Sequence, residues 1–312
     1  MHEHLPVMLE ESITGLSPRA GGTYLDATFG RGGHSGELLR RLGGSGSLHA
    51  MDRDPAASGA TITLATAHRN FHFHPVDFAQ LGAVCAAEGL AGKLDGILFD
   101  LGVSSPQFDD AARGFSFMKD GPLDMRMDPR SGEPASAWLA RASEKEIADV
   151  LYTLGEERNS RFIAKTLVAT RKAAPLTTTT QLAELLLSIH RGPRQKIHPA
   201  TRSFQAIRLH VNRELEQITA ALPQAVDALA PGGRIAVISF HSLEDRIVKR
   251  YLRDQARGAA PSASAGGRKS FPMTPADHPK LELVGRAQFP GPAEVEANPR
   301  ARSAVLRVAQ KL

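Results

Sequence analysis

A single cysteine, a single tryptophan and three tyrosines stand among 312 residues, and each scarcity removes a class of explanation. One thiol, Cys85, forms no internal disulfide and builds no cysteine zinc cluster, so neither a disulfide-stapled scaffold nor a zinc finger is expected. Within Ala83-Val-Cys-Ala-Ala87 that thiol is expected to be an inert buried residue. No apolar run reaches the roughly 18 residues a membrane-spanning helix needs, so no membrane partner is expected. The opening segment, Met1 to Glu11, lacks a basic region followed by an apolar core, so no secretion signal is expected and the expected compartment is the cytoplasm. Internal repeats are missing as well.

Acidic residues are in modest deficit: 33 Asp and Glu against 38 Lys and Arg leave a net charge of +5 and a pI near 9.5. That balance suits a polyanionic partner without requiring one. Arg and Lys gather in 158–172, 191–213, 246–257 and 300–311. Such clusters are either solvated faces or an electrostatic footprint for phosphates.

The most informative stretch is Tyr24-Leu-Asp-Ala-Thr-Phe-Gly-Arg-Gly-Gly-His-Ser-Gly36, which has the order strand, glycine-rich turn, helix. A dinucleotide-binding fingerprint would place a third glycine where Ser35 stands, so the match is imperfect. Ser47 to Met51 reads as a second strand ending at Asp52, twenty residues past Gly32, where nucleotide-binding α/β folds place an acid for ribose hydroxyls. Asp52 or Asp54 with Pro55 equally reads as a helix cap. A third strand, Phe71 to Val76, leads to Asp77 and Phe78, an acid and an aromatic suited to an adenine. His72 and His74 share one side of that strand; with no partner ligands nearby, no metal is expected. Lys93 to Phe99 has the continuous apolar run of a strand buried on both faces, and Asp100 emerges at its carboxyl end. Acids at positions 26, 52, 77 and 100 favour a class I S-adenosylmethionine methyltransferase over a nicotinamide-dependent oxidoreductase. An RNA-binding or assembly protein that keeps the fold without catalysis is the third possibility.

From about residue 112 the alternation stops. Helical patterns follow in 135–141, 143–154, 157–173 and 178–190, with a capping box at Ser143 and Glu146, a further helix start at Thr177 to Thr180, and Trp138 as the expected anchor of a small helical core. Met125 and Met127 are expected to pack rather than to touch a cofactor. The α/β pattern then resumes: Ser203 to Ala230 reads as helix with a break near Pro223, Arg234 to Phe240 as a buried strand, and His241 to Tyr251 as a helix start exposing Arg246, Lys249 and Arg250. A loop is expected over 255–280 and an edge hairpin from strands near 281–288 and 303–309. The expected fold is α/β, Rossmann-like, with a seven-stranded mixed sheet and an inserted small helical domain. The expected boundaries are 1–115 with 200–312, and 116–199.

Eight segments in order carry a resemblance to a known family. They are His4-Leu-Pro-Val-Met-Leu-Glu-Glu11, Asp26-Ala-Thr-Phe-Gly-Arg-Gly-Gly-His-Ser35, Asp100-Leu-Gly-Val-Ser-Ser-Pro-Gln107, Arg113-Gly-Phe-Ser-Phe117, Asp124-Met-Arg-Met-Asp128, His198-Pro-Ala-Thr-Arg202, Ile238-Ser-Phe-His-Ser-Leu-Glu-Asp-Arg246 and Asn298-Pro-Arg-Ala-Arg302. The chain resembles, nearly end to end, the bacterial RsmH family of small-subunit ribosomal RNA methyltransferases, which modify a cytosine at its exocyclic N4 amino group. The resemblance implies a class I methyltransferase domain with a helical substrate domain inserted after strand four. It also implies S-adenosylmethionine held by Gly32, Gly33, His34, Asp52, Phe78, Asp100 and Gln107. The implied partner is small-subunit ribosomal RNA or the assembled small subunit, met as a monomer or homodimer.

Cytosine N4 is a poor nucleophile, because its lone pair is delocalised into the ring. An acceptor for the amino hydrogens would favour attack, and Asp100 is the candidate; a role in cofactor binding alone is the alternative. Many amino methyltransferases of nucleobases carry Asp/Asn/Ser-Pro-Pro-aromatic here, whereas this chain has Asp100-Leu-Gly-Val. The base must be stacked elsewhere, by Phe115, Phe117 or Phe240, after extrusion from RNA structure. Arg202, Arg208, Arg246 and Lys249 are the candidate phosphate contacts.

Overall fold

The computed structural model describes residues 6–190, 198–258 and 278–312. His4 and Leu5 of the first motif, residues 191–197 of the second basic cluster and most of the loop expected over 255–280 lie outside them. Among the described residues, no helix is long and apolar enough to cross a membrane.

The chain begins with α1 (Leu9–Leu16), β1 (Thr23–Asp26), α2 (Gly33–Leu42), β2 (Ser47–Met51), α3 (Ser58–Ala67), β3 (Phe71–His74), α4 (Leu81–Ala87) and β4 (Leu94–Asp100). A helical stretch follows: α5 (Ser105–Asp109), α6 (Ala135–Arg141), α7 (Glu144–Gly155), α8 (Ser160–Ala173), α9 (Thr179–Ser188) and α10 (Ala200–Val211). It closes with α11 (Glu214–Ala228), β5 (Leu229–Ser239), α12 (Ser242–Arg257), β6 (Leu281–Leu283), α13 (Pro292–Ala297) and β7 (Val305–Lys311).

The seven strands form one mixed sheet in the order β3-β2-β1-β4-β5-β7-β6. β1 to β5 run parallel, and β7 lies antiparallel to both β5 and β6. The order reverses between β1 and β4, so their carboxyl ends sit side by side, the position at which open α/β sheets bind ligands. Alternation along the strands divides the core. Ile97, Phe99, Ile235 and Val237 face one side with α11 and α12 residues such as Leu222 and Leu252. Leu98, Ala236 and Ile238 face the other with Ile13 of α1 and Leu38 of α2. Each such fully buried Leu or Ile contributes about 1.5–3 kcal/mol.

Two compact units result, Met1–Gly102 with Leu215–Leu312, and Val103–Glu214. The expected boundaries lay at 115/116 and 199/200. The helical unit takes in α10 because Phe204, Ala206 and Ile207 are buried in its core, beside Trp138, Leu151 and Leu167. Trp138 is 1% exposed and donates from Nε1 to Glu146 Oε1 at 2.9 Å. Glu146 is thereby drawn away from the reciprocal bond of a capping box: Ser143 still accepts from the Glu146 amide at 3.1 Å, but the return bond is replaced by the indole. Complete capping boxes sit at Thr178 with Gln181 and at Ser104 with Gln107.

The break expected at Pro223 falls instead at Asn212-Arg213, and Pro223 lies inside α11. Arg213 takes a left-handed φ of 51°, and Asn212 is tied by its side chain to the Met125 carbonyl and the Met127 amide, both at 2.7 Å. These bonds stop α10 at Val211, twelve residues before the proline. The strand expected from Arg234 begins earlier, at Leu229, with a register shift where Pro231-Gly-Gly233 passes Leu94 to Gly96.

Candidate active site

Four segments meet at the carboxyl edge of β1, β2, β4 and β5, all within the α/β unit. Backbone bonds knit them: Ala27 N donates to Leu98 O at 2.9 Å, Phe29 N to Met51 O at 2.9 Å and Leu101 N to Ile238 O at 3.0 Å. The glycine turn is further held to β4 by Thr28, whose Oγ1 accepts from Asp100 N at 2.6 Å.

The turn needs its glycines for two different reasons. Gly32 adopts φ 75°, a conformation other residues reach only with strain, and leads straight into α2. Gly33 has an ordinary φ but no room: a Cβ there would lie 2.2 Å from Pro6 Cγ. α2 starts with no side-chain cap and no acid in its first turn, leaving its amide end and positive dipole for an anionic group.

Ser35, which spoils the dinucleotide fingerprint, has a structural task. Its Oγ donates to Asp26 Oδ2 at 2.7 Å while Asp26 Oδ1 accepts from Thr28 N at 3.1 Å. Asp26 is 1% exposed, and burial pushes its carboxyl up to about 6 despite these bonds.

Asp52 is likewise locked, accepting from Gly30 N at 2.7 Å and Asp54 N at 2.8 Å. Burial raises its pKa. One lone pair on each oxygen is taken by those amides, and a carboxylate has further acceptor sites for vicinal ribose hydroxyls. The helix-cap alternative holds simultaneously, since Asp54 caps the turn at Pro55 by accepting from Ala56 N at 2.9 Å. Asp77, expected near an adenine amino group, is engaged otherwise: it accepts from Ala79 N at 2.9 Å and pairs with Arg53 at 2.9 Å. Phe78 is half-buried and meets Phe99 edge to face, with centroids 5.9 Å apart.

Asp100 stands at the centre. Its side chain keeps 27% exposure, yet Oδ1 is buried and has no hydrogen-bond partner among the described residues. Such an atom fits a ligand that brings its own donor. Burial, with the like charges of Asp26 and Glu244, pushes this carboxyl up to about 8. His34 lies alongside, its Nδ1 3.7 Å from Asp100 Oδ2. Its Nε2 is 3.1 Å from the Val7 carbonyl, which only accepts, so Nε2 carries the proton. Burial lowers the imidazole pKa to about 4, which keeps it neutral.

Glu244 escaped the sequence reading as an individual residue, although it falls in one of the eight segments. It is 1% exposed, and its Oε2 accepts from Phe240 N at 3.0 Å, so it both braces the end of β5 and loads charge onto Asp100. The signal was there: His241, the N-cap of α12, followed three residues later by an acid resembles a capping pattern.

Gly32, Gly33, His34, Asp52, Phe78 and Asp100 therefore share one unit, and their chemistry suits an adenosyl sulfonium: acceptors for hydroxyls, an aromatic face, an amide end for a carboxylate. Gln107 belongs to the helical unit, where it is 7% exposed and accepts from Ser104 N at 2.9 Å, completing the cap of α5. The candidate phosphate contacts are dispersed. Arg202 is exposed on α10, and Lys249 is exposed on α12 with Arg246 half-buried, where an exposed row was expected. Arg208 is not a free cation at all, since it grips Glu214 through Nε at 2.9 Å and Nη2 at 3.1 Å, with Glu214 buried and Arg208 half-buried.

The MraW methylase family matches residues 1–312. Over 311 residues the chain is 55% identical to the ribosomal RNA small subunit methyltransferase H of Thioalkalivibrio sulfidiphilus, covering 99% of this chain and 97% of that one. It is 53% identical over 309 residues to the protein of the same name from Thiobacillus denitrificans, and 51% identical over 311 residues to that of Alcanivorax borkumensis, with 97% of each covered. With a family match end to end and more than half of all residues shared with such relatives, the chain belongs to the MraW methylase family.

Proposed function

We propose that this protein transfers a methyl group from S-adenosylmethionine to the exocyclic N4 amino group of a cytidine in small-subunit ribosomal RNA. The observation that carries the reading is Asp100, a carboxylate at the carboxyl end of β4 with a buried, unpartnered oxygen beside a glycine turn and an uncapped helix start. S-adenosylmethionine supplies an electrophilic methyl carbon on a sulfonium. The chain supplies alignment, exclusion of water and a place for the amino proton.

Gly32 and Gly33 let the backbone approach the cofactor, Asp52 accepts the ribose hydroxyls and Phe78 flanks the adenine. Asp100 accepts from the N4 amino hydrogens, which localises the nitrogen lone pair for in-line attack. Of the three candidate stacking rings, Phe115 is 4% exposed and Phe117 packs on Phe204 and His198 at centroid distances of 4.8 and 4.7 Å. Phe240, half-buried and nearest neighbour to any Cβ at Gly102, is the ring that remains in Asp100's own unit. The substrate is free RNA or the assembled small subunit, and the site of action is the cytoplasm.

The deciding experiment incubates the protein with labelled S-adenosylmethionine and small ribosomal subunits, or with their naked RNA, then digests the RNA and identifies the labelled nucleoside. N4-methylated cytidine is the expected product. Label in another nucleoside, or in none, ends the proposal.

A further inference from the structure

We infer that the solvent face of α8 in the helical unit is a docking surface for the phosphate backbone of RNA. The inference takes only its partner class, RNA, from the proposed function; the surface itself is read from the helix.

α8, Ser160–Ala173, contains Arg161, Lys165, Arg171 and Lys172 and not one acid. Its apolar side, Ile163, Ala164 and Leu167, is buried in the helical core. Arg171 turns inward to the carbonyls of Leu139 and Ala142. The other three cations are exposed. At about 100° per residue they fall within a sector of roughly 40°, and at 1.5 Å per residue they stretch over about 16 Å of helix. They form a stripe, then, with Arg158 exposed just ahead of the first turn.

What distinguishes this stripe is its lack of local neutralisation. On α2 the chain pairs Arg40 and Arg41 with Glu37 and Glu10, and on α7 it pairs Lys145 with Asp149. Among the described residues, no ion pair or side-chain hydrogen bond engages Arg161, Lys165 or Lys172. A face that merely kept the molecule in solution would intersperse both signs. An acid-free row of cations is instead what a polyanion selects, since each phosphate contact releases condensed counterions. Beside the row, Phe162 is 40% exposed, a large ring at the edge of a basic track, as in surfaces where an unpaired base stacks on an aromatic.

The test is a triple variant, Arg161→Gln, Lys165→Gln and Lys172→Gln, compared with the parent chain. Affinity for small-subunit ribosomal RNA is measured across a range of KCl, together with KM for that RNA in methylation. Melting temperature and calorimetric affinity for S-adenosylmethionine report whether the fold is intact. The expected result is affinity lower by about tenfold or more near 0.15 M salt and a log–log salt slope shallower by about 2, with KM rising in parallel. The single variant Arg161→Lys, which keeps the charge, should retain the parent slope. Unchanged affinity and slope in a folded triple variant overturn the inference. If the parent binds RNA with a slope that the variant loses but labels no cytidine, the surface stands and the proposed reaction falls; label without a slope change has the opposite meaning.

Discussion

His34 presents an unprotonated Nδ1 to Asp100 Oδ2 at 3.7 Å because its other nitrogen is committed to the Val7 carbonyl at 3.1 Å. The gap is too long for a hydrogen bond, and the carboxyl the ring approaches already meets the like charges of Asp26 and Glu244. Burial and these two like charges favour the protonated form of Asp100, and a positive sulfonium is the natural counterweight.

A pH dependence follows for the chemical step. A protonated Asp100 cannot accept fully from the amino group, so single-turnover methylation at saturating cofactor should climb from about pH 6 to about pH 8.5. Asp100→Asn should flatten that climb and slow the step by about 10²–10⁴-fold while retaining much of the cofactor affinity. Glu244→Gln should move the midpoint of the climb downward, since one like charge holding the proton on Asp100 is gone. An unaltered rate in Asp100→Asn removes Asp100 from the chemistry.

Stability should respond to the same groups in the opposite sense. Asp26 and Asp100 have folded pKa values of about 6 and about 8, above the ordinary 3.8, so the folded state holds their protons more tightly. Their contribution is fully present below about pH 4 and is lost as pH rises through those values. Between about pH 7 and 9, His34 and His49, both lowered to about 4 by burial, stay neutral and do not interfere. Denaturant titrations across that window should show Asp100→Asn gaining about 1–2 kcal/mol on the parent chain toward the alkaline end, a figure discounted for the part of the side chain open to water.

Gly33→Ala should be far more damaging than its size suggests. The new Cβ would collide with Pro6, whose neighbour Val7 anchors His34. Calorimetry is expected to show S-adenosylmethionine bound at least about tenfold more weakly, a change of about 1.4 kcal/mol. An affinity within twofold of the parent would mean that the Pro6 segment yields without disturbing the site.

Arg208→Ala separates a structural cation from a phosphate contact. Removing it strands Glu214, which is 4% exposed, and should cost about 3–5 kcal/mol in denaturant unfolding. The salt slope of RNA binding should stay as it was. A fallen slope with intact stability would return Arg208 to the RNA surface.

Much of the site was legible because its signals are local. The turn from Asp26 to Ser35, the acids closing successive strands and the continuous apolar run before Asp100 each declare themselves within ten residues, and Rossmann-like topology brings strand ends to one edge. The partners of those acids were not legible. Nothing near Asp77 announces Arg53, and nothing near Arg208 marks it as the grip on Glu214 rather than an open cation.

The alternation of strand and helix, the helical insertion after Asp100 and the motif order were thus determined by the sequence alone, since hydrophobic period and glycine placement act over a few residues. Only the tertiary structure decided where α10 ends, which basic residues stay unpaired, and that Asp26, His34 and Glu244 converge on Asp100. Those outcomes depend on residues far apart in the chain sharing one low-dielectric space, where burial and neighbouring charge set what each carboxyl or imidazole can do.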